Sequence, residues 1–164
     1  YKMEIDAFSK TEIESSLNRI DAILGENIFD IENRKHPLVK SAFIELLICL
    51  RDLMHKAEKY ASRISFDKDV IKTEKINDIT DVVEYVRDAL CHRDSENHYL
   101  EQGDKKAPFN IIYGKGSVLT LFGYVQESYY PDDVCFFYGR QKIYLNRHIL
   151  PAVEEARSKL LPTL

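Results

Sequence analysis

The sequence predicts an α+β protein, mostly α: a helical bundle of four main helices with a small antiparallel β-sheet inserted before the last helix. Apolar residues recur at helical spacing in three segments before residue 93, and again in a segment after residue 150. β-branched and aromatic residues, which are typical of strands, are concentrated between residues 109 and 145. We therefore interpret residues 1–164 as a single domain with a β-rich insertion at about 109–145.

The composition is that of an ordinary globular domain. The chain has 164 residues, of which 45% are hydrophobic and 30% charged, so it can form one core and is too apolar for a disordered chain. A net charge of −4 argues against a broad non-specific nucleic-acid binder but leaves room for a small basic cleft. The longest apolar run, Leu46–Leu50, is too short to span a bilayer, and Cys49, Cys91 and Cys135 are scattered and odd in number. We expect a cytoplasmic protein with no membrane association and with reduced, packed thiols.

The first helix is predicted from a capping box at Ser9–Glu12, in which each end satisfies a free backbone amide of the other. Gly25 offers a stop. The apolar residues between them have helical spacing: Ile13, Leu17, Ile20 and Leu24. Residues 26–36 are predicted to form a connector that is anchored to the core by Ile28, Phe29 and Ile31.

The second helix is predicted to be long. Pro37 suits a first turn, and no breaker follows from residue 38 to about 64, which gives about 25 residues and about 40 Å. A charged linker separates it from a third helix that begins at Asn77 or Asp78 and ends near His92. The predicted buried stripe of the third helix consists of Ile79, Val82, Val83, Val86 and Leu90.

Four runs in the last third of the chain are predicted to be strands: 110–113, 117–126, 134–138 and 141–145. Gly139-Arg140 predicts a tight hairpin turn. The run 114–117 also predicts a hairpin turn rather than a phosphate loop, because it leads into a strand and not a helix. Pro151 falls in the first turn of a final helix, and four of its apolar residues are predicted to pack inward: Val153, Ala156, Leu160 and Leu161.

The end of the third helix carries the residues that indicate a chemistry. Arg87 is followed by Asp88 and, five positions after the arginine, by His92. An arginine can hold a phosphate while an imidazole takes the proton of an RNA 2′-hydroxyl, a combination that cleaves RNA without a metal. Asp88 is expected to hold Arg87 or His92 in place. Positions five apart lie about 140° apart around a helix, so both side chains reach one cleft if the helix end unwinds or if a second copy packs alongside.

This arrangement resembles the RxxxxH motif of the HEPN superfamily (higher eukaryotes and prokaryotes nucleotide-binding domain). In that family the arginine is typically followed by Asn, Asp or His, which Asp88 matches, and the motif lies late in a helical bundle. The resemblance covers residues 9–98 and the last helix, but not the strands. It implies a metal-independent endoribonuclease of a toxin–antitoxin or defence system, which acts on RNA as a homodimer. The implied catalytic residues are Arg87, Asp88 and His92, no cofactor or metal is implied, and an antitoxin or other protein is a further expected partner.

The same spacing occurs again at Arg93 and His98, in a polar segment. We assign this second pair to substrate binding, because the packed third helix holds the first pair more firmly. His92, Asp94 and His98 could also be metal ligands, but no cysteine cluster accompanies them, so we expect no metal.

Two other interpretations stay open. The chain could be a non-catalytic HEPN-like module that binds a protein or RNA partner, or a helical scaffold whose sheet mediates assembly. Arg51 and His55, one turn apart on the second helix, are interpreted as a surface pair.

Overall fold

The computed structural model describes residues 4–92, 109–119 and 123–164. Within these ranges the chain forms four α-helices, α1 (Ala7–Gly25), α2 (Val39–Tyr60), α3 (Ile79–Cys91) and α4 (Leu150–Leu160). Short helical turns lie at Ile31–Asn33, Leu145–Ile149 and Leu161–Thr163. The predicted α+β class with four main helices is confirmed.

Helix α1 begins at Ala7, so the predicted capping box at Ser9–Glu12 is wrong. The N-cap is Asp6, whose carboxylate accepts bonds from the backbone amide and the hydroxyl of Ser9, each at 2.8 Å. The hydroxyl of Tyr60 also donates to this carboxylate, at 3.2 Å. The amide and hydroxyl of Ser9, together with Tyr60, lower the pKa of Asp6 to about 2. A charged acceptor three residues earlier therefore takes the capping role that the sequence suggested for Ser9.

Helix α2 is shorter than predicted at both ends. Pro37 lies before the N-cap residue Leu38 rather than in the first turn, and the helix ends at Tyr60. The backbone leaves the helix at Ala61, with φ −133° and ψ −89°. Ile64 is nevertheless fully buried, so its apolar character extended the sequence pattern past the real helix end.

Helix α3 begins as predicted, with Asp78 as its N-cap. The end of α2 and the start of α3 are tied together because Arg63 donates to Asp78 at 2.8 and 3.0 Å and to Asp81 at 2.7 Å. Farther along, Arg51 of α2 pairs with Glu84 of α3. The two helices therefore run antiparallel.

The described residues after α3 contain five strands: β1 (Asn110–Tyr113), β2 (Gly116–Leu119), β3 (Val125–Ser128), β4 (Val134–Tyr138) and β5 (Gln141–Tyr144). The single predicted strand over 117–126 is wrong, because β2 and β3 are separate antiparallel strands and Gly123 between them has φ +77°. The predicted hairpin turn at Gly139 is confirmed, since β4 and β5 pair around it. The run 114–117 is not a hairpin turn: it joins β1 of one sheet to β2 of the other.

The three-stranded sheet, in the order β1-β4-β5, has two different faces. On one face Phe136 stacks on Phe43 of α2, with ring centroids 4.1 Å apart. On the other face Lys142 donates to the carbonyl of Glu127 at 2.9 Å, and Asn110 donates to Gln126 at 3.0 Å. The sheet therefore lies between the helices and the β2–β3 hairpin, which covers its second face.

Some predicted packing residues are on the surface. Ile31 is 52% exposed and Leu161 is 46% exposed, so neither anchors the core as predicted. Cys91 is also exposed, whereas Cys49 and Cys135 are buried free thiols. No helix in the described ranges is long and apolar enough to cross a bilayer.

A buried histidine, in the helical turn before α4, contacts the linker between α2 and α3. His148 has no exposed surface; its Nδ1 accepts from the amide of Tyr144 at 3.1 Å, and its Nε2 lies 2.8 Å from the carbonyl of Lys68. A carbonyl can only accept, so Nε2 carries the proton and the ring is neutral. Burial lowers the pKa of His148 below 6.5.

This geometry predicts acid-dependent stability. The unfolded chain binds the His148 proton more readily than the folded protein, so the stabilisation is complete above about pH 6.5 and falls as the pH decreases. We expect His148→Gln to lower the free energy of unfolding at pH 7.5 by about 1–3 kcal/mol. The difference in the free energy of unfolding between this variant and wild type, measured by urea unfolding, should be smaller at pH 5 than at pH 7.5. His55→Gln, at an exposed position, is the control; an unchanged difference at pH 5 would contradict the assignment.

Candidate functional site

A groove of about 480 Å³ lies between α1 and α2 and is reached by one side chain of α3. We call it the central groove. Its lining comprises three arginines, two carboxylates, three hydroxyls and three less polar side chains: Arg19, Arg51, Arg87; Glu12, Asp52; Thr11, Ser15, Ser16; and Phe8, Ile48, Cys49. Two other cavities in the described part of the chain have one arginine and none in their linings.

Arg87 is the side chain of the predicted motif that reaches the central groove. Its side chain is 28% exposed, and its Nη1 donates to Asp88 Oδ1 at 2.7 Å. That hydrogen bond raises the pKa of Arg87, so the guanidinium is a fixed cation. Its Nε is buried without a hydrogen-bond partner among the described residues. Asp88 bonds to one terminal nitrogen only, so the partly exposed guanidinium keeps other N–H donors for an anion in the groove.

Asp88 and His92 occupy the end of α3. The carboxylate of Asp88 holds Arg87, which is one of its two predicted roles, and its carbonyl accepts from the amide of His92 at 3.0 Å. His92 is the C-cap residue, with φ −114° and ψ 107°, and its side chain is exposed. The helix therefore ends at the histidine, but His92 is not among the described residues that line the central groove. The structure brings Arg87 to the groove and leaves His92 on the open surface.

Each arginine of the central groove has a carboxylate neighbour. Arg19 pairs with Glu45, and Arg51 pairs with Glu84 at 3.4 Å. The ion pair of Arg87 is with Asp88. All these pairs are partly exposed, and such pairs contribute little to stability, so an incoming phosphate can replace a carboxylate at low cost.

The two carboxylates of the lining share one buried lysine as their counter-ion. Lys56 is 6% exposed, and its Nζ lies 3.0 Å from Glu12 and 2.5 Å from Asp52. Burial alone would lower the pKa of Lys56, but its hydrogen bonds to Asp52 and Glu12 outweigh burial and raise it. Asp52 also accepts from Ser16 of α1 at 3.2 Å. This cluster joins α1 to α2.

Cys49 does not offer thiolate chemistry in the groove. Burial, reinforced by the nearby Glu45, raises the pKa of its thiol to about 11. Its Sγ lies 3.6 Å from a carboxylate oxygen of Glu45, which suits a thiol donor. The thiol is therefore protonated at neutral pH and is not a nucleophile there.

Sequence reasoning missed part of the groove. Arg19 and Phe8 of α1 were not identified, and Arg51 was interpreted only as half of a surface pair. The antiparallel packing of α1 on α2 brings these residues to Arg87, and no local motif encodes that contact. Arg93, Asp94 and His98 lie outside the described residues. Within the described residues, no three metal-binding side chains cluster closely enough to hold an ion.

Comparison with known proteins identifies no relative of this chain. No protein-family model, no curated protein and no solved structure matches this chain significantly. A function for this chain therefore has to follow from the geometry and chemistry of the site itself.

The Lys56 cluster gives a stability prediction. We expect Lys56→Met to lower the free energy of unfolding by about 2 kcal/mol, because Glu12 and Asp52 lose their shared cation and repel each other. Adding Asp52→Asn should recover part of the loss, which urea unfolding measures. Lys115→Met, at an exposed turn, is the control. If the double variant is less stable than Lys56→Met alone, charge repulsion is not the cause.

Proposed function

We propose that the protein is a HEPN-like, metal-independent endoribonuclease that cleaves RNA through Arg87 and His92 at a homodimer interface. The observation that carries the proposal is the placement of the two side chains at one helix end. Arg87 reaches a groove lined by two more arginines, and the exposed His92 caps the same helix.

The chemistry needs one cation and one proton acceptor. Arg87 binds the phosphate that will be cut and stabilises the charge that develops on its oxygens. His92 takes the proton from the 2′-hydroxyl, whose oxygen attacks the neighbouring phosphorus. The bond from phosphorus to the 5′-oxygen breaks, and that oxygen takes a proton from solvent. The products are a 2′,3′-cyclic phosphate and a free 5′-hydroxyl.

A second copy of the chain explains how both groups reach one phosphate. The amide of His92 still makes the helical bond to Asp88, so its α-carbon stays about 140° around the axis from Arg87. Two copies of α3 packed about a two-fold axis would place His92 of one subunit beside Arg87 of the other. The exposed surface of both residues is compatible with that contact.

The central groove suits a single-stranded nucleic acid. Phe8 is 73% exposed on its rim, and an exposed ring beside arginines is the combination that stacks a base and holds its phosphate. Such a groove favours local recognition of RNA over general binding, in keeping with the acidic net charge.

One observation favours a second candidate, a non-catalytic RNA-binding or protein-binding module. The ion pair between Arg87 and Asp88 already occupies one edge of the guanidinium. A module that only binds RNA, an antitoxin or another protein would keep the ion pair between Arg87 and Asp88 intact.

The test is cleavage of single-stranded RNA in excess EDTA. We expect the wild-type protein to cut, and His92→Ala and Arg87→Ala each to lower the rate at least about 100-fold, since proton transfer and charge stabilisation each contribute factors of that size. Lys115→Ala should cut like wild type, and circular dichroism should show an unchanged fold in all variants. Binding without any cleavage by the wild-type protein would favour the second candidate.

A further inference from the structure

A second cavity lies beside the central groove, at the seam between α2 and α3. This small cavity, of about 30 Å³, is lined by Arg51, Met54, His55, Glu58, Thr80 and Glu84. Of its two carboxylates, Glu58 pairs with Arg63 and Glu84 pairs with Arg51. We call this cavity the seam pocket. Arg51 lines both the seam pocket and the central groove, so the two cavities meet at this one side chain.

From the central groove to the seam pocket, the order of the side chains is Arg87, Arg51 and His55. Arg51 and His55 are one turn apart on α2, about 6 Å along the helix axis. His55 is exposed, and the side chain of Arg51 is 36% exposed. The seam pocket has room for one water molecule or one phosphate oxygen, but not for a base.

We propose that Arg51 and His55 form a second phosphate subsite, which binds the phosphate next to the one held by Arg87 in a single-stranded RNA. The proposal rests on the proposed function of the central groove and specifies the path of its ligand. Arg51 supplies a fixed charge between the two cavities, and the imidazole of His55 donates a hydrogen bond to the outer phosphate. The strand therefore runs along α2, from the groove towards the seam pocket.

Glu84 regulates access to this subsite by competing for Arg51. The pair is 3.4 Å long, and the side chain of Glu84 is 51% exposed, so the carboxylate is a weak competitor. Removing its charge should free Arg51 for phosphate. If this ion pair only held the helices together, its loss would disturb the packing of α2 on α3 and weaken the binding of phosphate.

The experiment measures binding of fluorescein-labelled 2′-O-methyl oligoribonucleotides, which lack the attacking hydroxyl, by fluorescence anisotropy at several salt concentrations. We expect Arg51→Gln to weaken binding and to reduce the slope of log K against log salt by about 0.7, the contribution of one phosphate contact on a single strand. His55→Ala should weaken binding several-fold, and only for oligomers longer than a dinucleotide. Glu84→Gln should strengthen binding, and Lys115→Gln should leave it unchanged.

The outcomes separate the two proposals. If Arg87→Gln weakens binding but Arg51→Gln and His55→Ala behave like Lys115→Gln, the second subsite is wrong and the proposed function stands. If Glu84→Gln weakens binding, the competition with Arg51 is wrong. If the wild-type protein binds none of the oligomers, the proposed function fails and the subsite fails with it.

Discussion

The burial of helix α2 is the constraint on which the rest of the structure depends. Eleven of its 22 residues are buried, among them Phe43, Leu46, Leu50 and Leu53, so an apolar surface wider than one stripe must be covered. Helices α1, α3 and α4 all pack on α2, and the three-stranded sheet adds Phe136 against Phe43. The remaining polar strip, with Arg51, Asp52 and His55, is where α1 and α3 flank the helix without covering it. The candidate site lies on that strip.

Packing sets the positions of the side chains around the groove, and their ion pairs set the charges that a ligand meets. The carboxylates near the groove fall into two groups with different partners. Glu12 and Asp52 share the buried Lys56 and belong to the framework that joins α1 to α2. Asp88 and Glu84 pair with Arg87 and Arg51 at partly exposed positions, where a phosphate can take their place. The site is therefore a set of arginines whose carboxylate partners a phosphate can replace. These arginines are held on a framework in which the ion pairs of Lys56 stay in place.

The sequence predicted the elements better than their contacts. The starts of α3 and of β1 follow from Asp78 and from a run of β-branched residues, because these signals are local. The predicted capping box at Ser9 is wrong because Asp6, three residues before Ser9, is a stronger acceptor and caps the helix instead. The central groove could not be predicted, since Arg19 and Arg51 meet Arg87 only through tertiary packing. The sequence did single out Arg87, because it lies on the packed third helix whereas Arg93 lies in a polar segment.

A subunit-mixing experiment tests most directly whether Arg87 of one subunit works with His92 of the other. Arg87→Ala and His92→Ala proteins are mixed in equal amounts, allowed to exchange subunits, and assayed for RNA cleavage in EDTA, with native mass spectrometry confirming exchange. Each variant alone has no intact site, but a mixed dimer has one site with both residues. Random exchange should therefore restore about one quarter of the wild-type activity. Mixed dimers that form and remain inactive would contradict a site shared between two subunits.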